Sequence, residues 1–396
     1  MTPRLTLLLA ALTASAALAQ PQLKDPSKPE GLVVHEWGTF TSFSGPSGDL
    51  VPFNIALGED LPDFVQARGI GEYWTSVRKI DTLKVSLTAE QRMETPVLYF
   101  YTDKPADVSV NVRMPSGLIT EVYPPVTSTT PAKIESIAVP TAGSSIRWDH
   151  VGIRPSYCCD VITFPTGGDS HYFQARATKA DPISISRGNE LFGEKFLFYR
   201  GIARGDMGLK AHALGNDAFT IDKSESGTLS AVFAVEVAGA QVRFAQAENV
   251  EPGATLTLPK TTSNESSLGA AMAQSLEKAG LFQDEAQAMV NTWKHLWFGE
   301  SGTRVMIIMP QASIDKVLPL DITPSPNQIK RVFVARLEML TPERQQWAQE
   351  VLASRAGASD TQQQAIDLEL RALGRFRDPI VTLAAKQATK PQPKAN

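Results

Sequence analysis

The sequence predicts an α+β protein: a mostly antiparallel β-sandwich N-terminal region, then a helical C-terminal region with one or two added strands. Three observations predict it. From Leu32 to about Lys260, β-branched and aromatic residues recur with a period of two in short runs divided by turn residues, the pattern of many half-buried antiparallel strands. After Lys260 the apolar residues recur at helical spacing. Within that second half, the segment TRVMIIM beginning at Thr303 is short, largely apolar and stopped by Pro310, which suits a buried strand.

The chain opens with one positive charge, Arg4, ahead of an apolar stretch that ends in Ala17, Leu18 and Ala19. A basic start, an apolar middle and a small-x-small end form a cleavable secretory signal. Residues 1–19 therefore read as a signal peptide, and the mature chain as beginning at Gln20. The apolar stretch is shorter than the roughly 20 residues that span a bilayer, and Pro21, Lys24, Asp25 and Lys28 follow it. No transmembrane anchor is expected, and the protein should be periplasmic or secreted. Residues 20–31 and 386–396, both rich in proline and lysine, read as a flexible linker and a disordered tail.

Residues 32–260 form the sandwich-rich region. Strands are expected at 33–43, 82–87 and 96–102, and further ones at 145–148, 171–177, 195–200 and 254–258. Runs 108–114 and 118–122 flank Pro115, Ser116 and Gly117 and read as a hairpin, as do 230–237 and 241–245 across Ala238, Gly239 and Ala240. A helix around 61–66 is expected to cover an edge.

Residues 261–385 form the mainly helical region. Leu268, Met272, Leu276 and Ala279 share one face of a helix closed by Gly280. Ala286, Met289, Val290, Trp293, Leu296 and Trp297 give a second, and His295 falls on its polar side. The run 331–339 alternates and carries valines, so strand is preferred over helix there. Thr341 with Pro342 starts a helix, Asp360 with Gln363 resembles a capping box, and Asp378 with Pro379 opens a last short helix.

The formal charge is -4 at pH 7 with no basic block, so no nucleic-acid partner is expected. The two cysteines, Cys158 and Cys159, are adjacent. They allow either a strained vicinal bridge, because Cα atoms about 3.8 Å apart fall below the usual disulfide range, or two thiols on opposite faces of a strand. No H-E-x-x-H, G-x-S-x-G or P-loop occurs, and the three S-x-x-K matches at Ser76, Ser275 and Ser313 have no companion motif.

Two kinds of site remain. The first is metal: of the five histidines, His35, His150 and His171 are the candidate ligands for a divalent transition metal. On a strand, however, His35 and Glu36 point to opposite faces. The second is charge inside apolar strands, at Glu36, Glu94, Arg176 and Arg200. Such groups either pair across the sheet as a structural network, or place two carboxylates on one cleft. Glu36, Glu94 and Arg176 are accordingly the candidate catalytic residues, the two carboxylates acting as acid and base or nucleophile on a glycoside.

HEWGTFT beginning at His35, METPVLYFY at Met93 and EKFLFYRG at Glu194, with the stretch 286–309, resemble segments of a group of exported bacterial proteins. The resemblance covers most of the mature chain. It implies export and a shared fold and brings no catalytic residue with it. The expectation is an exported soluble protein that binds an envelope or extracellular ligand. The alternative is an extracytoplasmic hydrolase, either metal-dependent or using the glutamate pair.

Overall fold

The computed structural model describes residues 29–54, 61–69, 71, 74–76, 88–134, 142–155, 162–205, 207–223 and 227–388. The expected signal peptide, most of the expected linker, the run 82–87, Cys158 with Cys159, and the end of the expected tail lie outside the described residues.

The strands begin with β1 (Leu32–Ser44), β2 (Phe53–Asn54), β3 (Gln66–Arg68), β4 (Trp74–Ser76), β5 (Thr88–Ala89), β6 (Gln91–Thr102) and β7 (Ala106–Met114). Next come β8 (Gly117–Tyr123), β9 (Ser128–Thr130), β10 (Ser144–Ile153), β11 (Ile183–Arg187), β12 (Glu190–Glu194), β13 (Leu197–Ala203) and β14 (Leu209–Ala213). A 3-10 helix, His171–Arg176, precedes β11. The strands β15 (Ala218–Lys223), β16 (Leu229–Ala238), β17 (Gln241–Val250) and β18 (Thr255–Thr257) lead into helices α1 (Glu265–Ala279) and α2 (Gln283–Trp297). The chain continues through β19 (Gly302–Ile308), α3 (Gln311–Val317), β20 (Leu320–Thr323), β21 (Gln328–Met339), α4 (Pro342–Ala356), α5 (Asp360–Ala372) and α6 (Arg377–Ala388). Sheet thus dominates the N-terminal part and helix the C-terminal part of a mixed α and β protein.

The larger sheet has ten strands in the order β17-β16-β19-β21-β1-β6-β13-β8-β3-β4. β1 and β21 pair in parallel, and every other neighbouring pair in it is antiparallel. A second sheet runs β12-β11-β10-β7-β20 with β9 beside β10, and β14-β15-β18 form a third. The helical region therefore supplies two strands to the middle of the large sheet and β20 to the edge of the second.

Both faces of the large sheet are covered. On one, Val34, Leu98, Phe100, Phe333 and Ala335 share a buried cluster with Val108, Val110 and Val112 of β7 and Trp148 of β10. On the other, Val33, Trp37, Tyr99, Val332 and Val334 meet Leu268 and Met272 of α1 and Met289 and Trp293 of α2. Strands enclosed on both sides read as near-continuous apolar runs, which is why HEWGTFT and METPVLYFY alternate so weakly. α2 is too short to be stable alone in water, and its face of Met289, Trp293 and Trp297 is fixed by this burial.

Several expectations meet a different outcome. β7 and β8 do not pair: β7 lies between β10 and β20, whereas β8 lies between β13 and β3. The Pro115 and Ser116 turn therefore carries the chain from one sheet to the other. Gly117 serves close approach at this crossing, because a Cβ there would lie 2.5 Å from the Ile202 carbonyl oxygen. Residues 61–66 make a single turn, closed by Val65 N to Pro62 O, instead of a helix. The expected strand at 171–177 is the 3-10 helix, because the Ser170 side chain accepts from Tyr172 N and starts a turn. The α5 cap is Ser359 with Gln362, one residue earlier than the expected Asp360 with Gln363.

An irregularity in β6 positions the charges described next. Trp37 faces Val97 and Thr39 faces Glu94, so β6 carries one extra residue at Thr95 and Pro96. Proline is tolerated at such a bulge because it has no amide to pair. Thr95 has φ 48, a left-handed conformation that is strained for a β-branched residue. The insertion reverses the alternation: Val97 points toward the helices, but two pairs on it is Glu94, not Met93, that does so, and Met93 enters the opposite core.

Candidate functional site

The bulge creates a charged seam across the helix-facing side of the large sheet. In β8 and β13, Glu121 is registered against Arg200. Arg200 donates through Nη2 to the Thr95 hydroxyl at 3.2 Å, and so holds the strained residue. Glu94 pairs with Arg92 Nε at 3.1 Å and accepts from the Thr41 hydroxyl at 2.9 Å. Thr41 is registered against Arg336 of β21. Arg336 and Arg304 both reach Glu338, at 2.5 and 3.2 Å. Burial alone would push the Glu94 carboxyl up, but the guanidiniums of Arg92, Arg336 and Arg200, with the Thr41 hydroxyl, outweigh it and hold the group below the usual carboxylate range. On one side of this seam lies the apolar cluster under α1 and α2, and on the other the cluster of Phe43, Ile202, Phe376 and Ile380 under α4 and α6.

The seam also anchors α2. Arg336 donates to Leu296 O at 2.9 Å, and Arg304 donates to Trp297 O. Cations on the last carbonyls of a helix satisfy orphan acceptors and complement its dipole. At the other end, Glu285 accepts from the Phe282 amide, from the Tyr101 hydroxyl and from His35 Nδ1, each at 2.8 Å. Both ends of α2 are thereby tied to strands of the large sheet.

Where α2 meets the 3-10 helix, a cleft of about 390 Å³ opens, lined by Asp169, Ser170, His171, Gln174, Asn291, Lys294 and His295. The His171 ring lies 5.0 Å from Trp293 and 5.5 Å from His295. Its Nε2 is 3.2 Å from Arg200 Nη2. Since a guanidinium only donates, Nε2 accepts, and the ring proton resides on Nδ1. The floor of the cleft thus joins the buried seam through the His171 to Arg200 hydrogen bond.

The six candidate site residues fall in different places. Glu36 is fully buried on the face toward β7 and β10, bonded to Arg331 Nε at 2.6 Å and to the Tyr199 hydroxyl. Burial and that carboxylate hold the Tyr199 phenol well above its usual range. Glu94 lies on the opposite face, so the two carboxylates do not share a cleft. Arg176 makes a two-pronged bond to Glu194 at 2.9 and 2.6 Å and packs over Phe173, 4.8 Å from the ring centre. His35 is buried against Glu285 and Phe282. His150 is 88% exposed on β10, 3.3 Å from Asp107. His171 alone of the six lines the cleft. Among the described residues no three His, Cys, Asp or Glu side chains gather so as to hold a metal ion. The three histidines proposed as ligands are not brought together.

The sequence reading missed Glu285, Glu194, Arg304, Arg331, Arg336 and Glu338. Their signal was present: Arg331, Arg336 and Glu338 sit inside the apolar run of β21, as conspicuous as Glu36 and Glu94 in theirs. Lys294 and Asn291 were missed because a cleft-lining residue on the polar face of a helix looks like any solvated one. No helix among the described residues is long and apolar enough to cross a membrane. Compared with known proteins, the chain matches no protein family and no curated sequence at a significant level.

Proposed function

We propose that this chain is an exported binding protein, in which the two larger sheets stack as a β-sandwich and the cleft between α2 and the 3-10 helix takes a small anionic ligand from the envelope or the medium. One observation carries the reading: the Lys294 ammonium and the rings of His171 and His295 line one open cleft, with the Arg200 guanidinium directly behind His171. Cationic and donor groups outnumber the single carboxylate, Asp169, and a concave site of that sign concentrates anions. Asn291 and Gln174 add neutral donors that fix orientation. Export rests on the leader pattern and on the resemblance to exported proteins. Hydrolysis by paired carboxylates is disfavoured, because Glu36 and Glu94 are each held by arginine on opposite faces of one sheet.

Calorimetric titration of the mature protein with inorganic phosphate and with succinate tests the reading. Binding of at least one anion is expected, weakened about tenfold or more in a Lys294→Ala, His295→Ala double variant, as loss of charge-assisted bonds implies. No heat with either anion, or equal affinity in the variant, would sink it.

A further inference from the structure

A second cleft, of about 370 Å³, lies on another part of the molecule, between the first turns of α4 and the ends of β16 and β19 that carry Glu236 and Thr303. Its lining includes Asn216, Glu236, Glu343, Arg344, Trp347 and Leu373. Both carboxylates in it are already engaged. Glu236 accepts from Arg243 Nε at 2.6 Å, and Glu343 accepts from the Asn216 amide at 2.8 Å. Arg344 is different. Its Nε is buried without a hydrogen-bond partner, and no ion pair holds its guanidinium among the described residues. The group leans on the Phe376 ring at 5.8 Å. Burial lowers its pKa.

A partly desolvated guanidinium that nothing neutralises is costly in the free protein. That cost is recovered when an acceptor with negative charge arrives, and arginine's planar fork matches a carboxylate. Trp347, one helical turn on from Arg344, and Leu373 are both partly buried and give the same cleft an apolar wall. We propose that this cleft is a separate ligand site, recognising a carboxylate carried on a flat apolar body. Arg344 takes the carboxylate and Trp347 packs against the body.

Benzoate is the probe, followed by thermal shift and by titration on the mature protein, with acetate and benzyl alcohol as half-ligands lacking the body or the charge. Benzoate is expected to bind, with either half-ligand about tenfold weaker or worse. Arg344→Gln is expected to lose benzoate about tenfold or more while melting no lower than the parent, since it removes a charge without a partner. His150→Ala, exposed on β10 and lining neither cleft, should leave benzoate affinity unchanged. The proposal is overturned if benzoate fails to bind, if Arg344→Gln binds it as tightly, or if Lys294→Ala, in the other cleft, is the variant that loses it. Should Arg344→Gln not fold, Trp347→Leu replaces it, with weaker benzoate binding expected and unchanged binding counting against the site.

Discussion

Glu36 and Arg331 stand directly opposite each other across the parallel pairing of β1 and β21 and form a fully buried ion pair at 2.6 Å, 295 residues apart in the chain. Arg331 also donates to Asp315 and to Leu318 O, and Glu36 accepts from Tyr199. The pair therefore joins β1, β13, β21 and the end of α3.

Removing one member should be far worse than removing both. Glu36→Gln and Arg331→Met are each expected to lower unfolding free energy by about 3–5 kcal/mol, because each deprives a buried charge of its buried counter-ion, while Glu36→Leu with Arg331→Met should recover most of the loss. Urea denaturation of the three variants measures this. A double variant as unstable as the sum of the singles would contradict it.

Glu94 gives a pH dependence of known sign. Its folded-state pKa lies below the unfolded value, so its ionised form contributes stability that is fully present above the unfolded pKa and is lost as pH falls through the folded one. Glu94→Gln should accordingly be less stable than wild type at neutral pH, with the gap closing below the carboxylate range. Melting curves across that range check the point; a gap that widens on acidification would reverse the sign.

Gly38 lies in β1 beside the β6 bulge, and a Cβ there would come 2.7 Å from the Phe333 ring and 3.1 Å from the Pro96 Cα. Gly38→Ala is expected to cost about 1–3 kcal/mol through overpacking. Differential scanning calorimetry would show a clearly lowered Tm, and an unchanged one would mean that Phe333 moves aside freely.

Treatment with a chelator should leave the melting temperature where it was. His35 is already bonded to Glu285, and His150 and His171 lie elsewhere. Bound metal found by elemental analysis, and a drop in Tm after its removal, would show that the histidines do serve as ligands.

Much of this architecture was readable from residue order. α1 and α2 were legible because one apolar face at a spacing of three and four residues can satisfy only a helix, and Gly280 ends α1 with a positive φ of 112. The strand preference at 331–339 matched β21 because Val332 and Val334 face the helices while Phe333 and Ala335, between and after them, enter the opposite core. Partner choice was not legible: the alternation in β7 and β8 is the same whether the two pair or part, because it specifies a face and not a neighbour. The candidate site was half legible. Charges inside apolar strands marked Glu36 and Glu94 as unusual, but the bulge at Thr95 decides which face Glu94 takes, and it follows from non-local register. The cleft depends on His171 lying on a 3-10 turn, a consequence of one local hydrogen bond from Tyr172 to Ser170.

The parallel seating of β21 beside β1 also bears on how the molecule can be assembled. A polypeptide emerging from its N-terminus makes β1 early, yet that strand keeps one unpartnered flank until residues 328–339 arrive. Contacts so distant along the chain close slowly, and an open strand edge invites strangers in the interval. Newly made protein is therefore most vulnerable to clumping while the second half is still unplaced, and variants that slow the docking of β21 should lower yield before they alter the finished molecule.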